Sequence, residues 1–256
     1  MRLDAGSACV RVDPLHGGRL ASLQVGGREL LVTEDPDPRG WGAYPMVPWA
    51  GRIRKGLFGW REEAVQLPIN LAPHAIHGTV MEREWIVEDA DTLVCDLGPH
   101  WPWKGRAKSR FQLSANALKW TLEVQADADP FPVVVGWHPW FRSQPVPDTS
   151  LQFELRAEQM YIRDEDGIPT GTLQSPTVGP WDDCFRDLKE NPKLRWSDGF
   201  ELEVESSCDH WVVYSEPSHA VCIEPQSGPP DAFNLGGFEV ASPGHPVCHS
   251  MVLRWR

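Results

Sequence analysis

The chain has 256 residues, 41% of them hydrophobic and 23% charged, with a formal charge of −12. That length and balance suit one large domain, spanning 1–256, with a core that needs no disulfide staples. No Lys/Arg-rich run supplies the basic face of a nucleic-acid binder, and no apolar run approaches the length of a membrane span.

The pattern along the chain is that of strands. Gly26-Gly27 separates Leu20–Val25 from Leu30–Val32 and predicts a hairpin turn. Asn116-Ala117 predicts a second turn, between strands at Phe111 and Trp120. Leu118, Trp120, Leu122 and Val124 alternate with polar residues. So do Leu151, Phe153 and Leu155, then Phe200, Leu202 and Val204, and finally Val247, His249, Met251, Leu253 and Trp255. Period two is what a strand buried on one face needs. Trp181–Glu190 is the one place where a short helical turn is expected. Many short strands without intervening helices predict an all-β fold built from antiparallel sheets.

Three segments break the alternation and carry polar groups. They are Asn70–Gly78, Gly136–Phe141 and Cys222–Asn234. Glu224 follows the apolar run Ala220–Ile223, so it is expected near a strand end, with prolines forcing an irregular loop after it. A carboxylate there has two readings: a desolvated general base, or a loop carboxylate capping backbone amides. His138 follows Val133–Val135 and precedes Pro139. Its readings are a proton donor near neutral pH and a packed aromatic with one hydrogen bond.

His74 and His77 are three residues apart, but no third ligand of a zinc site is evident nearby. Hydrogen bonding to a polar ligand is the expectation for both, and no metal or cofactor is predicted. The six cysteines form no close pair and read as reduced, packed thiols. The 13 tryptophans are many for this length. Indole faces suit the C–H faces of sugar rings, which makes Trp49, Trp101, Trp103, Trp137 and Trp140 candidates for a pocket wall.

Together these segments resemble the aldose 1-epimerase (galactose mutarotase) family, from about Pro45 to the C-terminus. The run Glu-Pro-Gln-Ser-Gly-Pro-Pro-Asp-Ala-Phe-Asn from Glu224 carries most of the likeness. Gly136-Trp-His-Pro-Trp-Phe resembles the family's Gly-x-His-Pro-Tyr-Phe. His77-Gly78 resembles its His-Gly motif, Gly51-Arg52-Ile53 its Asn-Arg-Ile motif, and Trp181-Asp182-Asp183 a short aspartate motif. Gly51 departs from the usual Asn, Trp140 from the usual Tyr, and Thr79 from the second Gly of some members.

The resemblance implies a large β-sandwich of the galactose mutarotase type, with a cleft on one sheet. It implies Glu224 as base and His138 as acid. His77, Arg52 and Asp182 would hold sugar hydroxyls or assist at the ring oxygen, with Asp183 able to share the role of Asp182. The implied reaction interconverts the α and β anomers of an aldohexose without metal or redox cofactor. Alternatives are a hexose carrying phosphate or sulfonate at C6, met by Arg52, Arg54 and Lys55; a non-catalytic carbohydrate-binding protein of the same fold; and glycoside hydrolysis by paired carboxylates. No signal-peptide order is seen at the N-terminus, so a cytoplasmic monomer or homodimer is expected.

Overall fold

The computed structural model describes residues 1–256. Two large antiparallel sheets share one continuous apolar core. The eight-stranded sheet holds the strands that alternate most cleanly in sequence. Gly105–Leu113, Ala117–Ala126, Val247–Trp255 and Glu201–Ser206 pair in that order at its centre. Their apolar positions face the core and their charged positions face solvent, the usual arrangement for an antiparallel sheet with one wet face.

The two expected turns form. Val25 pairs with Arg28 across Gly26 and Gly27, whose φ values of +55° and +82° suit a two-residue turn that matches strand twist. Leu113 pairs with Leu118 across Ser114–Ala117. Trp181–Glu190 forms no helix. Asp182–Leu188 is a strand, hydrogen-bonded to Ala157–Arg163 on one side and His210–Tyr214 on the other. Pairing on both edges overrides a weak local preference.

The eleven-stranded sheet differs at its centre. There the strands Ala43–Met46, Gly136–Arg142 and Ala220–Gln226 lie side by side, and almost every residue in them is buried on both faces. One face packs on the core. The other is covered by the segments that follow the short Arg52–Ile53 and Ala75–Ile76 pair and by the loop before Ala43. Polar side chains on this covered face lose water without reaching solvent.

Glu224 lies inside its strand, not at an end. The strand runs two residues further, through Pro225 to Gln226, and irregular chain begins at Ser227. Proline in a central strand costs a ladder hydrogen bond. Here Pro139 and Pro225 fall in the same gap. Gly136 pairs with Gln226 and Trp140 with Cys222, but the three positions between them are not ladder-bonded. Two neighbouring strands therefore give up their cross-links at the same level, where His138 faces Glu224.

Gly78 secures the covering segment. It bridges Val47 with φ +78°, and a Cβ there would lie 1.9 Å from the Val47 carbonyl oxygen. Gly78→Ala is expected to cost about 2–4 kcal/mol, from that overlap plus left-handed strain. Urea unfolding measures it, and an unchanged midpoint would show that the segment relaxes freely.

Candidate active site

Cross-strand register assembles the site from residues far apart in sequence. Tyr44 faces His138, Glu224 faces Val212, and Val212 faces Cys184. With His138 opposite Glu224, these side chains form one row across five adjacent strands. A second row runs Trp140, Cys222, Tyr214 and Asp182. Gln226 begins a third, beside Gly136, whose missing side chain leaves it room: a Cβ there would lie 3.1 Å from Gln226 Cγ. Above these rows opens a cavity of about 610 Å³, lined by His138, Glu224, His77, Arg52, Asp182 and Asp183 among others.

His138 and Glu224 form its centre. Nε2 of His138 lies 3.3 Å from Oε1 of Glu224, and the residues are only 6% and 2% exposed. Gln226 Nε2 donates to Glu224 Oε2 at 3.3 Å. Burial raises the Glu224 carboxyl well above its ordinary value, and the nearby Asp182 pushes the same way. Burial lowers His138 to about 3, with Arg19 adding to the effect. Both shifts favour the uncharged form. Burial thus disfavours the carboxylate and the imidazolium alike.

The His138 ring is clamped. Tyr44 stacks on it at 4.7 Å and 21°, Trp140 at 5.5 Å and 20°, and His77 meets it edge-on at 5.1 Å. Trp140 Nε1 donates to the Arg39 carbonyl at 2.7 Å, which fixes the indole. His219 lies parallel to the indole at 6.1 Å, so Trp140 has neighbours on both faces and offers the cavity an edge. His77 takes a left-handed φ of +60°, and its amide donates to the Gly51 carbonyl. Burial, followed by repulsion from His138 and Arg52, lowers its pKa well below the usual range.

Arg52 and Asp182 also meet here. Arg52 Nη1 is 3.7 Å from Asp182, while Arg163 reaches Asp182 at 3.2 Å and Asp183 at 2.8 Å. Burial raises Asp182 in spite of both guanidinium groups. The Asp231 amide donates to the Arg52 carbonyl at 2.7 Å, and the Asp231 carboxylate accepts from the Arg54 amide at 3.0 Å. The Pro229–Asn234 segment thus anchors the strand that presents Arg52.

The whole chain was compared with known proteins. The family model described as aldose 1-epimerase matches residues 1–254. Two Escherichia coli K12 proteins named as uncharacterized are relatives. YphB is 32% identical over 243 residues, covering 82% of each chain. YihR is 28% identical over 254 residues, covering 86% of this chain and 81% of its own. A galactose mutarotase-like protein from Clostridium acetobutylicum superposes with a TM-score of 0.89 at 19% identity, covering 100% of this chain and 94% of that one. A galactose 1-epimerase from Lactobacillus acidophilus NCFM superposes at 0.79 and 17% identity, covering 99% and 92%.

The chain belongs to the aldose 1-epimerase family. Its fold is the galactose mutarotase-like sandwich.

Within that family frame, several sequence expectations need correcting. His74 does not line the cavity; its Nδ1 accepts the Lys55 amide at 3.1 Å and holds a tight turn. Arg54 turns away to Asp164 and Asp166, so of the three basic residues after Gly51 only Arg52 lines the cavity. Of the five candidate tryptophans only Trp140 does. Trp49, Trp101 and Trp103 join Phe58 and Phe131 in an aromatic cluster within the core. Trp137 points to the core against Trp120, because neighbours along a strand face opposite sides. Gly51 has φ +67°, and a Cβ would lie 2.7 Å from Pro230, so this backbone leaves no room for the family's usual Asn.

Tyr44, Gln226 and Arg163 were missed in the sequence. Gln226 stands two residues from Glu224, so period two along that strand could have found it.

Four buried polar atoms around the cavity have no partner: Tyr44 Oη, His77 Nδ1, His138 Nδ1 and Gln226 Oε1. Such atoms destabilise a fold and cluster where ligands bind. Tyr44→Phe removes one of them and keeps the ring on His138. It is expected to raise stability by about 1 kcal/mol in urea unfolding. A lower midpoint would show instead that the hydroxyl is hydrogen-bonded in solution.

Proposed function

We propose that the protein interconverts the anomers of an uncharged aldose by acid/base ring opening and reclosure, with Glu224 and His138 as the proton-transfer pair. The observation that carries this reading is their contact: two desolvated groups 3.3 Å apart, on one sheet face, each pushed by burial toward its uncharged form. An anomeric carbon bears both the hydroxyl that must lose a proton and the ring oxygen that must gain one. Base and acid must therefore be neighbours.

The steps balance in protons. When sugar hydroxyls enter and solvate the carboxylate, the shared proton passes from Glu224 to His138. Glu224 then takes the proton of the C1 hydroxyl, and His138 gives its own to the ring oxygen. The C1–O5 bond breaks and an aldehyde forms. The pair has returned to its neutral form, the one that burial favours. Rotation about C1–C2 presents the other carbonyl face, and closure runs the transfers in reverse. The charged pair is thus disfavoured before ring opening and neutralised by it. His77, Arg52, Asp182 and Asp183 are placed to hold the remaining hydroxyls, and Trp140 keeps the imidazole plane.

The lining favours an uncharged substrate. Besides Glu224, five carboxylates and three guanidinium groups surround the cavity, and Arg52 and Arg163 are committed to Asp182 and Asp183. That balance repels a C6 phosphate or sulfonate more than it attracts one.

Glu224→Gln and His138→Asn are each expected to lower mutarotation, followed by polarimetry, by at least about a hundredfold. Near-normal rates in either folded variant would sink the assignment.

The pH profile follows from the same pair. Below about 3, His138 gains a proton while Glu224 keeps its own, and no base remains. Above the raised Glu224 value the pair has lost its only proton, and no acid remains. Enzymatic kcat/KM should therefore hold from roughly pH 4 up to the raised Glu224 value and fall beyond it. Groups at their ordinary values of 4.5 and 6.5 would give a narrow bell between those limits, and observing that bell would refute the neutral-pair account.

A further inference from the structure

Cys222 is fully buried and stands two residues before Glu224 in the same strand, so both side chains point to the cavity face. His138 reaches the same place from the neighbouring strand. The Cys222 sulfur, one ring nitrogen of His138 and one carboxylate oxygen of Glu224 all lie within 4.8 Å of one another. No other three histidine, cysteine or acidic side chains in the molecule come together in this way. Anomer exchange as derived above makes no use of the thiol. Sequence spacing hides the group, because its members come from two strands.

The three side chains have the chemistry and the spacing of a zinc site. Zinc takes sulfur, imidazole and carboxylate ligands in a tetrahedron, and bonds of about 2.0–2.3 Å put neighbouring ligand atoms about 3.3–3.7 Å apart. His138 Nε2 and Glu224 Oε1 are already 3.3 Å apart. The thiol closes any remaining gap by rotation about one bond. Tyr44 and Trp140 hold the imidazole plane, and Gln226 Nε2 occupies Oε2 of Glu224, which leaves Oε1 for an ion. Three protein ligands leave the fourth position to the cavity.

Charge and softness select the ion. Burial disfavours a lone thiolate here as it disfavours the carboxylate. A divalent ion held by one thiolate, one carboxylate and one neutral imidazole makes a centre without net charge, which suits a face where unpaired charge is costly. The protons of the thiol and the carboxyl pass to solvent as the ion enters. A sulfur ligand favours zinc over magnesium and calcium, which take oxygen.

We infer that Cys222, His138 and Glu224 form a zinc site, and that the bound ion blocks anomer exchange by taking both members of the proton-transfer pair as ligands. The binding claim stands alone; the block rests on the proposed anomer exchange. A carboxylate coordinated to zinc is a poor base, and an imidazole coordinated through Nε2 has no proton there to give.

The experiment titrates the full-length protein, stripped with EDTA, with zinc chloride by calorimetry. One ion per chain should bind with a Kd of about 10 µM or tighter. Cys222→Ser and Cys222→Ala should each weaken that binding at least about tenfold, and Cys248→Ser, at the exposed thiol, should leave it within about twofold. In polarimetry of glucose and galactose, saturating zinc should lower the wild-type rate at least about tenfold, EDTA should restore it, and magnesium and calcium should not inhibit. Each Cys222 variant is compared with its own zinc-free rate and should need at least about tenfold more zinc for the same inhibition. Cobalt(II) reads the ligands without any variant: sulfur-to-cobalt charge-transfer absorption and the strong visible bands of a tetrahedral centre are expected.

No saturable zinc binding, equal affinity in the wild type and both Cys222 variants, or a cobalt complex without the sulfur band would overturn the site. Full mutarotation with the ion in place would overturn the block. Cys222-dependent binding supports the site even if no sugar is mutarotated, an outcome that counts against the catalytic reading alone. Failure of the catalytic reading is thereby distinguishable from failure of this one.

Discussion

The site depends on one constraint: an ionisable pair is set on a sheet face that is buried from both sides. In water at neutral pH a carboxyl is charged and an imidazole is charged in part. On this face, charge is costly for each of them, and burial favours the uncharged form of both. The neutral form is then favoured over the ion pair, which differs from it only in where one proton sits. A chemistry that needs equal numbers of protons taken and given suits such a pair. The surrounding architecture serves this balance, from the paired prolines at the level of contact to the aromatic rings that hold the imidazole plane.

Maintaining that balance leaves polar atoms without partners, and the fold offsets them elsewhere. The unsatisfied atoms of Tyr44, His77, His138 and Gln226 lie on one side of the central strands. The other side of those strands joins an apolar core that both sheets share. Each side chain of the site is therefore backed by packed neighbours in its own strand. Trp137 beside His138 and Ile223 beside Glu224 are both fully buried. Alternation along a strand thus lets one segment serve as core and cavity wall together.

The same alternation explains what the sequence made legible. Strands with one wet face announce themselves by period two, and the segments at Leu118, Leu151, Phe200 and Val247 were all readable. Strands buried on both faces lose the polar half of the signal, so Gly136–Arg142 and Ala220–Gln226 read as apolar runs with motif residues attached. Glu224 therefore looked like the end of a strand when it is inside one. The family motifs supplied Glu224, His138, His77, Arg52 and Asp182. They could not supply Tyr44 or Arg163, which reach the cavity only through cross-strand register and a distant ion pair. Tryptophan was misleading, because a large amphipathic ring serves an aromatic core as well as a sugar, and four of five candidates went to the core. His74 shows the same ambiguity at close range. It is three residues from His77, yet it satisfies a backbone amide across a turn.

The departure at Gly51 shows how the region holds together without the family's usual Asn. The left-handed backbone and the pressure of Pro230 leave no space for an amide side chain there. Pro230 belongs to the same segment whose Asp231 fastens Arg52 and Arg54. The segment that closes one position therefore also fixes the neighbouring backbone. Side-chain polarity reaches the cavity instead from Gln226, on the Glu224 strand itself, and from Arg163, across from the two aspartates. A site with Asn at this position would need a different course for the Pro229–Asn234 segment. The glycine, the prolines and Asp231 form a single structural unit, and substitution of any one of them acts first on the position of Arg52.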